Sequence, residues 1–156
     1  MAVQTAQFFA TPQGLNVTQE RYLEAEYQAF QAQRYPAATY PEFLAFYWLE
    51  TRARYVEFED FFFQLPLLGG RNGGGFVVDF VVNRDQDPPL VIEVQGIAFH
   101  TGDFAFGDPA NVLAYDRLRR EILEQQGYRV VWVSDVKLQQ ALDATMRTAL
   151  NGQDAL

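Results

Sequence analysis

From Gly74 to Gly96 the chain reads GGFVVDFVVNRDQDPPLVIEVQG, two apolar runs rich in β-branched residues on either side of a cluster of turn formers. Each run carries an acid in its interior, Asp79 in the first and Glu93 in the second, with Gln95 two residues further on. A carboxylate inside a strand loses its hydration, and something must offset that loss. Such runs predict two strands, joined through residues 83–89 (NRDQDPP) as an antiparallel hairpin. Residues two apart share a face of a strand, so Asp79 sides with Val77 and Val81, and Glu93 with Val91 and Gln95. If the polar faces coincide, the two carboxyls converge, repel and raise each other's pKa unless a cation neutralises them. Magnesium is held by one or two carboxylates with water and substrate phosphate, and the main-chain carbonyl of Val94 offers a further oxygen. Asp79, Glu93 and Val94 are therefore the candidate metal ligands, with magnesium or manganese as the cofactor.

The flanking sequence frames this hairpin. Leu23, Tyr27 and Phe30 recur at helical spacing and predict an amphipathic helix over residues 18–33. Thr39, Pro41 and Glu42 form a capping-box start for a second helix reaching about residue 54, apolar nearly all round and therefore buried. Residues 55–68 (YVEFEDFFFQLPLL) predict a strand. The glycines between 69 and 75, around Arg71, read as a hairpin connection; they lack the Gly-Lys-Ser/Thr ending of a phosphate loop and precede a strand. Residues 96–107 make a long loop holding the only histidine, His100, which suits a general base or a phosphate contact. Asp108 and Pro109 start a helix ending near Gly127, residues 128–133 predict a buried strand, and 136–150 a closing helix. This order predicts an α/β fold with a mixed central β-sheet flanked by helices. Residues 1–38 read as an N-terminal arm and helical extension, and 39–156 as the domain proper.

The order of these residues resembles the PD-(D/E)XK nuclease superfamily, whose core motif is an Asp in one strand followed by Glu-x-Lys or Asp-x-Lys in the next. Asp79 and Glu93-Val94-Gln95 stand in those places. The chain is most similar to the small very-short-patch-repair-like endonucleases. Gly96, His100, Tyr115, Asp116, Arg119, Leu123 and Gly127 match their pattern in order, YRVVWV supplies the last strand, and Thr39 with Glu42 matches the helix start, so the similarity spans roughly 39–133. The resemblance implies a restriction-endonuclease-like core, a divalent cation, a DNA substrate, a helix glutamate (Glu42) near the metal, and Arg71 in a loop close to the site. It departs at Gln95, where the superfamily lysine is thought to activate the attacking water and stabilise developing charge; a glutamine donates hydrogen bonds but carries no charge. Arg71, Arg119 or Arg120 would then supply the positive charge to the phosphate. In this scheme Gln95 and His100 orient the nucleophile.

Composition narrows the partners. With no cysteine, the 156 residues offer no disulfide, thiolate metal site or cysteine nucleophile. Against 20 acidic residues stand 12 basic ones, a net charge of −8. Phosphate neutralisation supplies most non-specific DNA affinity, so a chain this acidic calls for arginines gathered on one face, or for a protein partner that delivers the DNA. No apolar run approaches the roughly 20 residues needed to cross a bilayer, and the start has no basic, apolar leader, so no membrane role is expected. The location expected is cytoplasmic, or virion-associated for a phage-encoded chain. Two functions follow: a metal-dependent DNA endonuclease hydrolysing phosphodiester bonds, or a catalytically inactive nuclease fold serving as a structural or interaction component of a phage particle or DNA-processing assembly. In the second, Phe8 and Phe9 of the arm would mediate homo- or hetero-oligomer contacts.

Overall fold

The computed structural model describes residues 17–68, 75–96 and 109–156; the arm with Phe8 and Phe9, Arg71 with its glycine loop, and His100 lie outside the described residues. Two helices come first, α1 (Val17–Gln33) and α2 (Tyr40–Thr51). The capping box forms as the spacing predicts: the Thr39 hydroxyl accepts the Glu42 N–H at 3.3 Å and Glu42 Oε2 accepts the Thr39 N–H at 3.0 Å. Behind it every residue from Phe43 to Leu49 is buried, so α2 is enclosed on all sides. From α1, Leu23 and Phe30 enter the same core.

The strands are β1 (Phe61–Leu67), β2 (Phe76–Val82), β3 (Leu90–Gln95) and β4 (Arg129–Ser134), in that order across one four-stranded sheet. β2 runs antiparallel to both β1 and β3, while β4 lies parallel to β3 after a crossover through helix α3 (Pro109–Gln125). The fold is thus mixed α/β. Alternation along the strands divides their side chains between two cores. Leu90, Ile92, Val131 and Val133 pack with α1, α2 and the C-terminal helices, whereas Val91 and Val130 pack with Leu123 of α3 on the opposite face. Beyond β4 the chain turns back so that Ala155 pairs with the edge of that strand, its N–H on the Trp132 carbonyl and its carbonyl on the Ser134 N–H, both at 2.8 Å. Among the described residues no helix is long and apolar enough to cross a membrane.

Two elements differ from the sequence reading. The strand expected over 55–68 starts only at Phe61, because the Asp60 carboxylate accepts the Val56 N–H at 2.8 Å and Arg54 and Phe58 take left-handed backbone angles, folding 55–60 into turns. The closing helix expected over 136–150 is two helices, α4 (Asp135–Gln140) and α5 (Leu142–Leu150), broken at Ala141. Packing accounts for the break. Asp143, in the first turn of α5, accepts the Trp48 indole N–H at 3.0 Å, and the Thr145 hydroxyl reaches back to the Lys137 carbonyl at 3.2 Å, so α5 is held against α2 in its own direction.

Candidate active site

The β2–β3 hairpin pairs regularly from Val82 opposite Leu90 to Phe80 opposite Ile92, and there the ladder stops. The next pair in register is Asp79 with Glu93, and their side chains take over. Glu93 Oε2 accepts the Asp79 N–H at 3.2 Å, and Asp79 Oδ2 accepts the Val94 N–H at 2.7 Å. Beyond this point β2 stays with β1, down to Phe76 opposite Leu67, while β3 stays with β4, up to Gln95 opposite Ser134. The sheet therefore forks, and the two acids stand where it opens. On β1 the residue opposite Asp79 by register is Gln64, which is left-handed (φ 52°). The β1–β2 ribbon turns there: Phe63 and Phe80 belong to the core under α2, whereas Leu65 and Val78, of the same parity, pack on the α3 side.

A cleft of about 220 Å³ opens at the fork, and its walls include Asp79, Glu93, Gln95, Asp116, Arg119 and Trp132. Arg119 crosses from α3 to the sheet. One of its terminal nitrogens, Nη2, lies 2.5 Å from Glu93 Oε1 and donates to the Val77 carbonyl at 2.7 Å. The guanidinium rests 5.3 Å from the centre of the Phe76 ring, and its buried Nε has no hydrogen-bond partner among the described residues. Both acids hold their protons more tightly than usual. Burial pushes Asp79 up to about 8, helped by the charge of Glu93 and opposed by the Val94 N–H and Arg119. Burial also raises Glu93, against the pull of Arg119 and of its hydrogen bonds with Asp79. Near neutral pH the pair thus keeps a proton on Asp79, which shares it with Glu93.

The remaining candidates divide. Gln95 is buried in the cleft wall on the same side of β3 as Glu93, and no described residue bonds its amide. Glu42 approaches from the α2 side of the sheet: burial raises its pKa first and the Asp79 charge second, yet its Oε2 is engaged with the Thr39 N–H. Arg120 lines the cleft but is bonded to Glu124 and Asp154, both at 3.1 Å, and lies over Trp132. Arg71 and His100 lie outside the described residues. Asp116, which the sequence places in the matched helix pattern without a site role, lines the cleft and shares a helix face with Arg119 at three-residue spacing; burial raises its pKa, against the pull of Arg119.

The donors suit a hard divalent cation. Two carboxylates meet there, and because the Val94 N–H points across the fork, extended geometry turns the Val94 carbonyl toward the same gap. Among the described residues no third His, Cys, Asp or Glu joins them as a metal-holding group, so the protein would contribute two acids and a carbonyl, leaving the rest of the shell to water and substrate. A comparison with protein-family models, curated proteins and solved structures found no match to this chain.

Proposed function

We propose that the fork is a divalent-cation site for hydrolysis of DNA phosphodiester bonds, within a restriction-endonuclease-like core of the PD-(D/E)XK kind. The observation that carries this reading is the meeting of Asp79 and Glu93 across the opened β2–β3 ladder, with Asp79 Oδ2 on the Val94 N–H at 2.7 Å. Bound by Asp79, Glu93 and the Val94 carbonyl, magnesium or manganese would lower the pKa of a water and neutralise charge on the phosphate. The chain's own groups do the positioning. Gln95, in the cleft wall, orients the attacking water through its amide without adding charge. Arg119, on the cleft wall, offers its guanidinium as a charged donor to a phosphate oxygen. His100, which follows β3 in the sequence, would accept the proton that the water gives up. The water oxygen bonds to phosphorus, one phosphorus–oxygen ester bond breaks, and the departing oxygen is protonated from solvent.

DNA as the substrate rests on the resemblance over residues 39–133. The charge of −8 argues that delivery to DNA involves a protein partner. Nicking of a supercoiled plasmid with magnesium tests the reading: wild type should cut, Asp79→Ala and Glu93→Ala should not, and equal rates in all three would refute it.

One observation favours a second reading. Arg119 already neutralises Glu93, and Gln95 stands where the superfamily has lysine. In this alternative the fork is a salt-bridged joint in a catalytically inactive nuclease fold, and the chain serves as an interaction component of a phage particle or DNA-processing assembly. A stable oligomer in light scattering, together with no magnesium-dependent nicking, would favour it.

A further inference from the structure

We propose that Arg119 is a displaceable counter-cation of Glu93, closing the site until a divalent cation competes it away; this inference rests on the cation-site reading of the fork. Both oxygens of Glu93 are occupied, Oε1 by Arg119 Nη2 at 2.5 Å and Oε2 by the Asp79 N–H at 3.2 Å. Asp79 Oδ2 is on the Val94 N–H at 2.7 Å, and its carboxyl also meets the Glu93 side chain. A cation bridging the two acids therefore needs Oε1, the oxygen that Arg119 holds. The guanidinium and a divalent ion cannot both sit on that oxygen without strong repulsion in a partly desolvated cleft.

The attachment of Arg119 suits an exchangeable partner. Nη2 serves both Glu93 and the Val77 carbonyl, Nε has no hydrogen-bond partner among the described residues, the guanidinium lies against Phe76, and its charge also reaches Asp79 and Asp116. Its side chain is 21% exposed against 9% for Glu93, so the arginine, not the acid, has a path toward solvent. A buried acid whose one counter-charge among the described residues can swing out is closed at low cation concentration and open at high.

The test is manganese affinity, read from the electron paramagnetic resonance of free Mn2+ at about pH 8.5, where carboxyl protonation competes least. Wild type, Arg119→Gln, Arg119→Met, Arg119→Lys and Asp79→Ala are compared as full chains, with circular dichroism confirming that each is folded. Gln keeps a donor for the Val77 carbonyl and Met keeps the packing on Phe76, so at least one uncharged variant should retain the fold. Each folded uncharged variant should bind Mn2+ at least about tenfold more tightly than wild type, the scale of one hydrogen bond to a buried charge. Arg119→Lys, which keeps the charge, should stay within about threefold of wild type. Combining Asp79→Ala with Arg119→Gln should abolish the gain. If wild type binds Mn2+ through Asp79 and the uncharged variants bind no more tightly, Arg119 only braces the site and the inference fails while the cation reading stands. If no variant binds Mn2+ at millimolar concentration, both fail together.

Discussion

Replacing Asp79 with asparagine should remove most of the pH dependence of stability that the fork creates. Asp79 titrates near 8 in the folded protein against an ordinary value of 3.8, with burial as the main cause. Because the folded value is the higher one, the native state holds a proton that the unfolded chain releases between those two limits. The stability this proton confers is complete below the unfolded value and is lost as pH rises toward the folded value. One retained proton makes stability fall with each pH unit, so raising the pH from about 5 to about 7 should cost on the order of 3 kcal/mol. For a chain of this length that is a fall in Tm of about 5–10 °C. Glu93 is shifted in the same direction and adds to the trend. Asparagine cannot ionise, yet its carbonyl can accept the Val94 N–H and its NH2 can donate to Glu93, so it imitates the neutral acid. Thermal and urea unfolding of both proteins at several pH values in chelator measures the difference, with the other acids cancelling in the comparison. Asp79→Asn should show the flatter profile and be the more stable protein at about pH 8. Parallel profiles for the two proteins, or a wild type that gains stability over that range, would refute the shared-proton description of the fork.

Three further outcomes follow from the packing. Thr39→Ala removes one half of the capping box on α2 and should lower stability by about 1 kcal/mol, read from the urea midpoint at unchanged slope. Gly75→Ala would drive a Cβ into the Leu67 and Leu68 carbonyl oxygens at the mouth of the β1–β2 ribbon; a loss of at least about 2 kcal/mol is expected, and a neutral result would show that β2 does not enter the sheet this closely. Leu123→Ala empties a fully buried position where α3 rests on the sheet and should cost about 2–5 kcal/mol. If α3 positions Arg119 through that contact, the same variant should also change Mn2+ affinity.

The sequence made the local parts of this architecture legible and left the long-range ones hidden. Thr39 and Glu42 announce the start of α2 because a capping box is complete within four residues. Asp79 and Glu93 announce themselves because polar residues inside β-branched runs have few alternatives, and the hairpin between them places them in facing positions. That the ladder would open there was not legible, since it depends on two side chains replacing backbone acceptors and on Gln64 of a third strand turning left-handed. Arg119 was visible as a phosphate contact but not as the partner of Glu93, because that pairing depends on how α3 crosses back over the sheet. The turns before β1 and the break at Ala141 carry no proline or glycine; Asp60 and Trp48 impose them through bonds that periodicity does not encode. Similarly, helix periodicity assigned α1 to an extension without showing that Leu23 and Phe30 lie in the main core.

The most direct test of the central claim is a crystal of the protein soaked in manganese and measured for anomalous scattering. The account predicts a peak between the carboxyl groups of Asp79 and Glu93, within bonding distance of the Val94 carbonyl, with the Arg119 guanidinium moved off Glu93. No peak at that position, with Arg119 still paired to Glu93 at millimolar manganese, would contradict it and leave the fork as a structural joint.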